Sequence, residues 1–328
     1  MGKFLAKRFL LILFSLFTIS IVLFALFENM PGDPVVRLLA DRMDQLTPDE
    51  LRDEEAAIRA MLGLDGPIVF QYTRWIGRMV TGDWGMSLHF RRPVLEVIAT
   101  PIRWTIVLNL IAISIGFLIT IPLGIFSAIK RGKAFDNATM VFTVLGFSMP
   151  TFLIAIIFIV IFAVFWQVLP IAGMTTAIPP DTTWLRFLDR LRHMALPLMT
   201  ITFAGLATMT RFVRAAMCDA LTEDYVRTAR SKGLKEKVVV FSHAFRNALV
   251  PVVTLMAGTL LTMFSGSVVI ERTFAWSGMG VVMIDSIFRG DYNVVMAMQV
   301  FYAAVALLSI LLMDIAYGLV DPRIKIAR

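Results

Sequence analysis

The sequence has few of the residues on which most enzymes and secreted domains depend. Only 17% of its 328 residues are charged, three are histidine and one, Cys218, is cysteine. No disulfide can therefore form within the chain, and no Cys or His cluster typical of a metal site is present. The motifs Gly-x4-Gly-Lys-Ser/Thr, His-Glu-x-x-His and Gly-x-Ser-x-Gly are also missing. These absences argue against a P-loop ATPase, a metalloprotease or a serine hydrolase.

Apolar residues are what the sequence has in excess. They make up 58% of the chain, and the mean hydropathy is +0.78. A soluble domain of this size could not bury so much apolar surface, whereas lipid can solvate it. A spanning helix needs about 20 nearly uncharged residues. Six segments meet that requirement and predict an all-α membrane protein with an uncleaved first helix: 9–27, 104–129, 137–166, 194–210, 247–270 and 294–320.

Lysine and arginine predict the orientation of these six spans. The segments 1–8, 130–136, 211–246 and 321–328 hold 17 Lys and Arg against 6 Asp and Glu, including all eight lysines. The alternate segments hold 14 basic against 17 acidic residues. Because basic loops stay in the cytosol, both termini are expected there. The net charge of +7 is thus explained by a cytosolic membrane face, and nucleic acid is not an expected partner.

The predicted domains follow from the spans. Residues 1–27 form the cytosolic N-terminus and first helix, 28–103 a small extracytoplasmic domain, and 104–328 a five-helix core. Inside the outer domain, Thr47 precedes Pro48 and Glu50 follows three residues later, which predicts a capped helix start. Gly63 is the expected end of that helix. The sequence leaves open whether this domain contacts an external protein or a second membrane subunit.

The inner loop 211–246 has the clearest local pattern. Thr222 is the expected cap of a short helix that has Glu223 and Asp224 in its first turn. Basic residues follow in the last turn, and Gly233 is expected to end the helix in a left-handed conformation. Such a helix can present a small-residue face to a partner protein. The alternative is an amphipathic helix that rests on anionic lipid.

The residues of this loop resemble a known signature. The run 224–234, followed by His243 and 246–251, is similar to the docking signature of binding-protein-dependent permeases, especially the dipeptide/oligopeptide/nickel branch. Further matches lie along almost the entire chain: Pro31 to Pro34, Leu62 to Asp65, Gln71, Tyr72, Leu169, Pro170, Gly173, Glu271, Phe274, Gly278 to Gly280, Asp291, Tyr292 and Asp321 to Arg323. By its large outer domain the chain resembles the B-type subunit rather than its C-type companion.

The resemblance implies a type I ATP-binding-cassette importer permease in the cytoplasmic membrane of a prokaryote. It implies a companion C-type permease, two cytosolic ATPases that bind the ATP and Mg²⁺, and an extracytoplasmic peptide-binding protein. No cofactor is expected in this chain, which is not itself an enzyme. The ATPase-docking residues implied are Tyr225, Val226, Arg227, Thr228, Ala229, Arg230 and Gly233. Arg227 stands where the general motif has an acid, and Ser277 and Asn293 stand where this branch has proline.

Two further groups of residues are candidates for the transport pathway. Thr254, Gly258, Thr262 and Ser265 form a weakly polar stripe at helical spacing, which is also typical of ordinary helix packing. Arg211 and Arg214 are a candidate inner gate, or simply snorkelling anchors. Among cargoes the branch includes peptides, glutathione and nickel. An ion-coupled secondary transporter is the rival class, since Asp314 lies inside the last predicted span.

The predicted orientation can be tested by cysteine labelling, because the native chain has a single thiol. A cysteine that replaces Asp53 is expected to react with a membrane-impermeant reagent added outside intact cells. A cysteine that replaces Glu236 is expected to react only after the membrane is permeabilised. The reverse pattern would show that the orientation is wrong.

Overall fold

The chain is described by a computed structural model that covers residues 2–29, 34–39, 47–259, 263–264 and 266–320. Regular structure within these ranges is helical, with one isolated bridge between Met86 and Pro93. The α-helices are α1 Gly2–Glu28, α2 Pro34–Leu39, α3 Pro48–Leu62, α4 Ile68–Val80, α5 Val94–Ile129, α6 Ala134–Ser148, α7 Thr151–Phe158, α8 Thr183–Thr222, α9 Asp224–Ser231, α10 Glu236–Val238, α11 Phe245–Thr259, α12 Val268–Thr273, α13 Met279–Arg289 and α14 Tyr292–Val320. Two π-helices, π1 Ile159–Phe165 and π2 Val239–Ala244, continue α7 and α10.

The chain divides into two compact units. The first contains Met1–Pro101 and Val282–Leu308, and the second contains Ile102–Val281 and Ser309–Arg328. The predicted division at residues 27 and 103 remains a prediction.

In the first unit, the start and end of α3 are as the sequence predicts. The Thr47 side chain accepts from the backbone N–H of Glu50, while Glu50 Oε2 accepts from the backbone N–H of Thr47 at 2.9 Å. Gly63 ends the helix with φ of 74°, a left-handed conformation that costs glycine little. Both signals are local, which is why they could be recognised without knowing the fold.

Aromatic side chains join α4 to α1 in this unit. Tyr72 Oη lies 2.8 Å from Ser20 Oγ, and the Phe24 ring lies 5.5 Å from the Tyr72 ring and 5.6 Å from the Trp75 ring. The Phe24–Tyr72 pair is edge-to-face and the Phe24–Trp75 pair is tilted, and aromatic pairs of this kind add to the free energy of apolar burial. Helix α4 is therefore packed on α1.

A buried carboxylate holds the loop between α4 and α5. Asp291 accepts hydrogen bonds from Ser87 Oγ and from the backbone N–H groups of Leu88 and His89. Close by, Asn293 Nδ2 donates to the carbonyl of Met86 at 2.7 Å. Proline, expected at position 293 in this branch, has no donor for such a bond.

Within the described residues, four helices are long and apolar enough to cross a membrane: Ala6–Glu28, Val94–Ile129, Thr183–Thr222 and Tyr292–Ile315. A bent pair, Ala134–Ser148 with Thr151–Phe165, would make a fifth span if it crosses as one unit. The predicted span 247–270 falls partly outside the described residues, and its described portion includes α11, which ends at Thr259. The total of six spans remains a prediction.

The predicted span 137–166 is broken in the structure and is not one continuous helix. The two halves meet at 107°, between Ser148 and Thr151. Pro150 has no N–H to continue the helix, and Met149 before it is extended, with ψ of 129°. The apolar run alone could not show this break.

The fourth predicted span, 194–210, is much longer in the structure. Helix α8 runs from Thr183 to Thr222 with Pro197 inside it, and the hydroxyl of Thr182 caps its start. Helix α8 continues for three turns beyond Arg211, into the predicted inner loop 211–246, whose cytosolic position remains a prediction. Arg211 and the charged residues after it ended the predicted apolar segment, but the helix continues through them.

Close packing of α5 on α8 in the second unit depends on Gly124. A Cβ atom added there would lie 2.6 Å from Cγ1 of the buried Val213. We expect Gly124→Ala to destabilise the protein by about 1–3 kcal/mol, the usual cost of overpacking. Thermal unfolding in detergent measures it.

Gly205→Ala is the matched control, because a Cβ at this position in α8 meets nothing within 4 Å. That variant should unfold at or above the temperature of the unmodified protein, since alanine favours a helix more than glycine does. Equal behaviour of the two variants would contradict the proposed contact.

Candidate functional site

The short helix α9 follows directly on the C-terminal end of α8, with Glu223 alone between them. Val226 and Ala229 lie on one face and are 0% and 5% exposed. They belong to a hydrophobic cluster built from α5, α8, α9, π2 and α11, whose buried members are Ile125, Ala128, Val213, Met217, Cys218, Ala220, Val226, Ala229, Val239, Val240, Ala244, Ala248 and Val252. The chain therefore fixes α9 by burying its apolar face against its own helices.

Gly233 ends α9 as the sequence predicts. Its φ is 74°, its N–H donates to Arg230 O at 2.9 Å, and the N–H of Leu234 donates to Ala229 O at 3.4 Å. This pair of bonds is a Schellman motif, in which the left-handed residue is usually glycine. A Cβ at this position would meet nothing within 4 Å, so only the backbone conformation requires glycine.

The predicted start of α9 is wrong by one residue. Glu223 occupies the cap position and makes no side-chain capping bond, whereas Thr222 ends α8 and its Oγ1 donates to Asp219 O at 2.8 Å. Because α8 extends to Thr222, this side chain bonds backward to its own helix. Sequence spacing could not distinguish the two uses of the hydroxyl.

The predicted small-residue contact face is also corrected. Ala229 and Val226, both expected among the docking residues, point into the chain's own cluster. The outward face consists of polar and aromatic side chains instead, with Tyr225, Arg227 and Thr228 exposed. A partner on this face would meet these three residues rather than Ala229.

Ion pairs stabilise the outward face of this segment. Arg230 donates two hydrogen bonds to the Glu236 carboxylate, the shorter at 2.7 Å, and thereby lowers the pKa of Glu236. Arg227 Nη1 lies 3.6 Å from Asp224 Oδ1. Both pairs are exposed, so each adds little to stability but limits the directions of the arginine side chains.

The two arginines of the candidate gate lie on the same helix but have different surroundings. Arg214 makes a two-pronged ion pair with Asp136, through Nε at 2.6 Å and Nη2 at 2.7 Å. Its guanidinium is therefore engaged within the chain, and the expectation that it gates the pathway or meets a peptide carboxylate is not supported. Arg211 is exposed on α8, and its role remains a prediction.

The candidate pathway stripe lies partly outside the described residues. Thr262 and Ser265 are outside them, and Thr254 is described only as part of α11. Gly258 is exposed, with open space where a Cβ would be. An open apolar pocket of about 810 Å³ is lined by residues of α5 and by Val253, Thr259 and Met263. The lining role of the stripe remains a prediction.

Sequence reasoning missed two acidic residues of this region, Asp136 and Glu236. Asp136 is the one acid in the basic segment 130–136, and this could have marked it as a partner for an arginine or lysine. Its distance from Arg214 in the sequence concealed which residue that partner is. The π-helix π2 was also missed. It carries Val239, Val240 and Ala244 into the cluster beneath α9.

Comparison with known protein families accounts for nearly the whole chain. Residues 120–326 match the family described as binding-protein-dependent transport system inner membrane component. Residues 1–109 match the N-terminal family of the same membrane components. The chain belongs to this permease family. Its match therefore includes both the segment after α1 and the α8–α9 region.

Individual permeases are similar over their full length. The chain is 34% identical to the oligopeptide transport system permease protein AppB of Bacillus subtilis, over 99% of this chain and 100% of that protein. It is 33% identical to the dipeptide transport system permease protein DppB of Escherichia coli K12, over 99% of each. A glutathione transport system permease protein, GsiC of Escherichia coli, is 34% identical, also over 99% of each.

The seating of α9 in this permease can be tested by introducing charge. Ala229→Glu would place an unpaired carboxylate in the cluster, and we expect it to destabilise that packing by about 3–5 kcal/mol. Trypsin should then cleave faster after Arg227 and Arg230 in detergent-solubilised protein. Thr228→Glu is the control, because its side chain is exposed. Equal cleavage rates in the two variants would contradict the burial of Ala229.

Proposed function

We propose that the chain is the B-type permease subunit of an ATP-driven importer that takes up peptides delivered by an extracytoplasmic binding protein. The observation that carries this proposal is the full-length similarity to permeases named for oligopeptide and dipeptide transport. The apolar helices supply the membrane-spanning part of such a subunit. In this proposal the chain itself binds no nucleotide.

The outward face of α9 is the proposed contact with the ATPase. Tyr225, Arg227 and Thr228 are exposed there, while Val226 and Ala229 anchor the helix from beneath. A helix as short as α9 is not stable by itself, so its position is fixed by its packing on the rest of the chain. A helix packed in this way can transmit a displacement. Arg230 supports this face through its ion pair with Glu236. Gly233 supports it by ending α9 in a left-handed turn.

The complete importer in this proposal contains a companion C-type permease, two cytosolic ATPases and the peptide-binding protein. ATP and Mg²⁺ are bound by the ATPases, and both termini of this chain lie in the cytosol. The lysine asymmetry supports that orientation in a prokaryotic inner membrane. The segment 28–103 would then face the binding protein or the companion permease.

Peptides are the favoured cargo because two relatives are named for dipeptide and oligopeptide transport. Glutathione, itself a small peptide, remains the alternative, since a glutathione permease is equally similar. Nickel and ion-coupled secondary transport are further alternatives that the named relatives do not favour.

Co-purification and uptake together test the proposal. The affinity-tagged permease, expressed with the genes beside its own, should bring two ATPase chains with it, whereas a secondary carrier would come alone. Thr228→Glu should abolish this association, because it adds a bulky charge to the exposed face without disturbing the buried one. Reconstituted with its binding protein, the complex should take up radiolabelled di- or oligopeptides only with ATP.

The control is Lys133→Gln, an exposed residue outside α9 that should leave both association and uptake unchanged. Uptake of nickel or glutathione without peptide uptake would show that the cargo is wrong. Normal ATPase association with Thr228→Glu would show that the contact lies elsewhere.

A further inference from the structure

Asp136, at the start of α6, accepts more hydrogen bonds than a surface carboxylate normally does. It is 2% exposed and accepts from Arg214 Nε, Arg214 Nη2, the backbone N–H of Gly132 at 2.8 Å and the hydroxyl of Ser127. Arg214 is 23% exposed. The planar guanidinium donates one hydrogen bond to each oxygen of the carboxylate. This fixes both the distance and the angle between the two groups.

Three of these four residues come from consecutive parts of the second unit, and the fourth comes from α8. Ser127 lies in the last turn of α5, Gly132 in the turn that follows, with φ of 75°, and Asp136 in the first turn of α6. Arg214 lies in α8. One carboxylate thus joins the inner end of α5, the α5–α6 turn and the inner portion of α8.

The same portion of α8 carries α9. From Arg214 the helix continues to Thr222, and α9 begins at Asp224. Val213 and Met217 of α8 belong to the cluster that buries the apolar face of α9. A displacement of α9 is therefore delivered to the part of α8 that holds Arg214.

On its other side the pair leads to the bent helix. Asp136 lies in the first turn of α6. After Ser148 the chain bends by 107° into the next helical segment, which begins with α7. Breaking a buried ion pair leaves an uncompensated charge, so the pair resists separation far more than a surface pair does.

We propose that Asp136 and Arg214 are positioning residues. They make the inner end of α6 follow α8 and α9 when the ATPases move α9. This inference rests on the proposed function. It assigns the pair a mechanical role in coupling, and neither residue needs to touch nucleotide or cargo.

The decisive variant removes both charges at once, Asp136→Asn with Arg214→Gln. Replacing both members of a buried pair by neutral groups of similar size is tolerated far better than removing one. The double variant should therefore assemble with its ATPases while losing the rigid connection. Lys133→Gln, an exposed charge in the same turn, is the control for altered charge.

A distance within the chain tests the connection without reference to cargo. Spin labels are placed on cysteines that replace Ala138 in α6 and Ser231 in α9, both exposed, with the native Cys218 buried. In the assembled complex with unmodified Asp136 and Arg214, and in the Lys133→Gln control, the distance should stay constant when ATP is bound. In the double variant it should change or broaden on ATP binding. An unchanged distance in the double variant would overturn the proposal.

Transport supplies a second readout. The double variant should hydrolyse ATP at close to the normal rate but lose most of the peptide transported per ATP. Arg214→Lys, which keeps the charge but not the two-pronged geometry, should restore part of that ratio. Hydrolysis and transport that fall in equal proportion would indicate a merely structural pair and overturn the coupling role. Absence of peptide uptake by the unmodified complex would instead count against the proposed cargo, while the distance measurement would still judge the pair.

Discussion

Backbone N–H and C=O groups that lie in hydrocarbon must find hydrogen-bond partners within the protein, and this requirement decides where the helices of this permease can stop. Helix α8 passes Pro197 without ending, because its neighbours along the helix keep their own bonds. The chain breaks instead at Pro150, where Met149 is extended. Two other helices of the second unit end beside turns with left-handed glycines, α5 beside Gly132 and α9 beside Gly233.

Charge in the interior follows the same rule. Three buried carboxylates, Asp136, Glu271 and Asp291, each accept both a hydroxyl and at least one backbone N–H. Each therefore joins separate segments of its own unit. Around Glu271 the fit is so close that a Cβ on Gly266 or Gly278 would collide with the carboxylate. Glycine at these positions follows from the need to bring backbone donors up to a buried acid.

The sequence was sufficient for three features whose cause is local. The capping box of Thr47 and Glu50, the left-handed Gly63 and the left-handed Gly233 all depend on residues a few positions apart, and all three are present. The boundaries of α8 could not be predicted, because arginine and aspartate are compatible with a helix that leaves the membrane. The partner of Arg214 could not be predicted either, since a pairing between residues 78 positions apart leaves no periodic pattern in one sequence.

The position of α9 also distinguishes two interpretations that the sequence left open. A helix that rests on lipid must keep its apolar face exposed, because burial of that face in the bilayer supplies most of the binding free energy. In α9 that face, formed by Val226 and Ala229, is already buried against α8 and π2. What remains outside is Tyr225, Thr228 and charged side chains that pair with one another. An exposed, largely polar surface on a rigidly seated helix is suited to a protein partner, so the burial of two small residues argues for docking rather than for lipid.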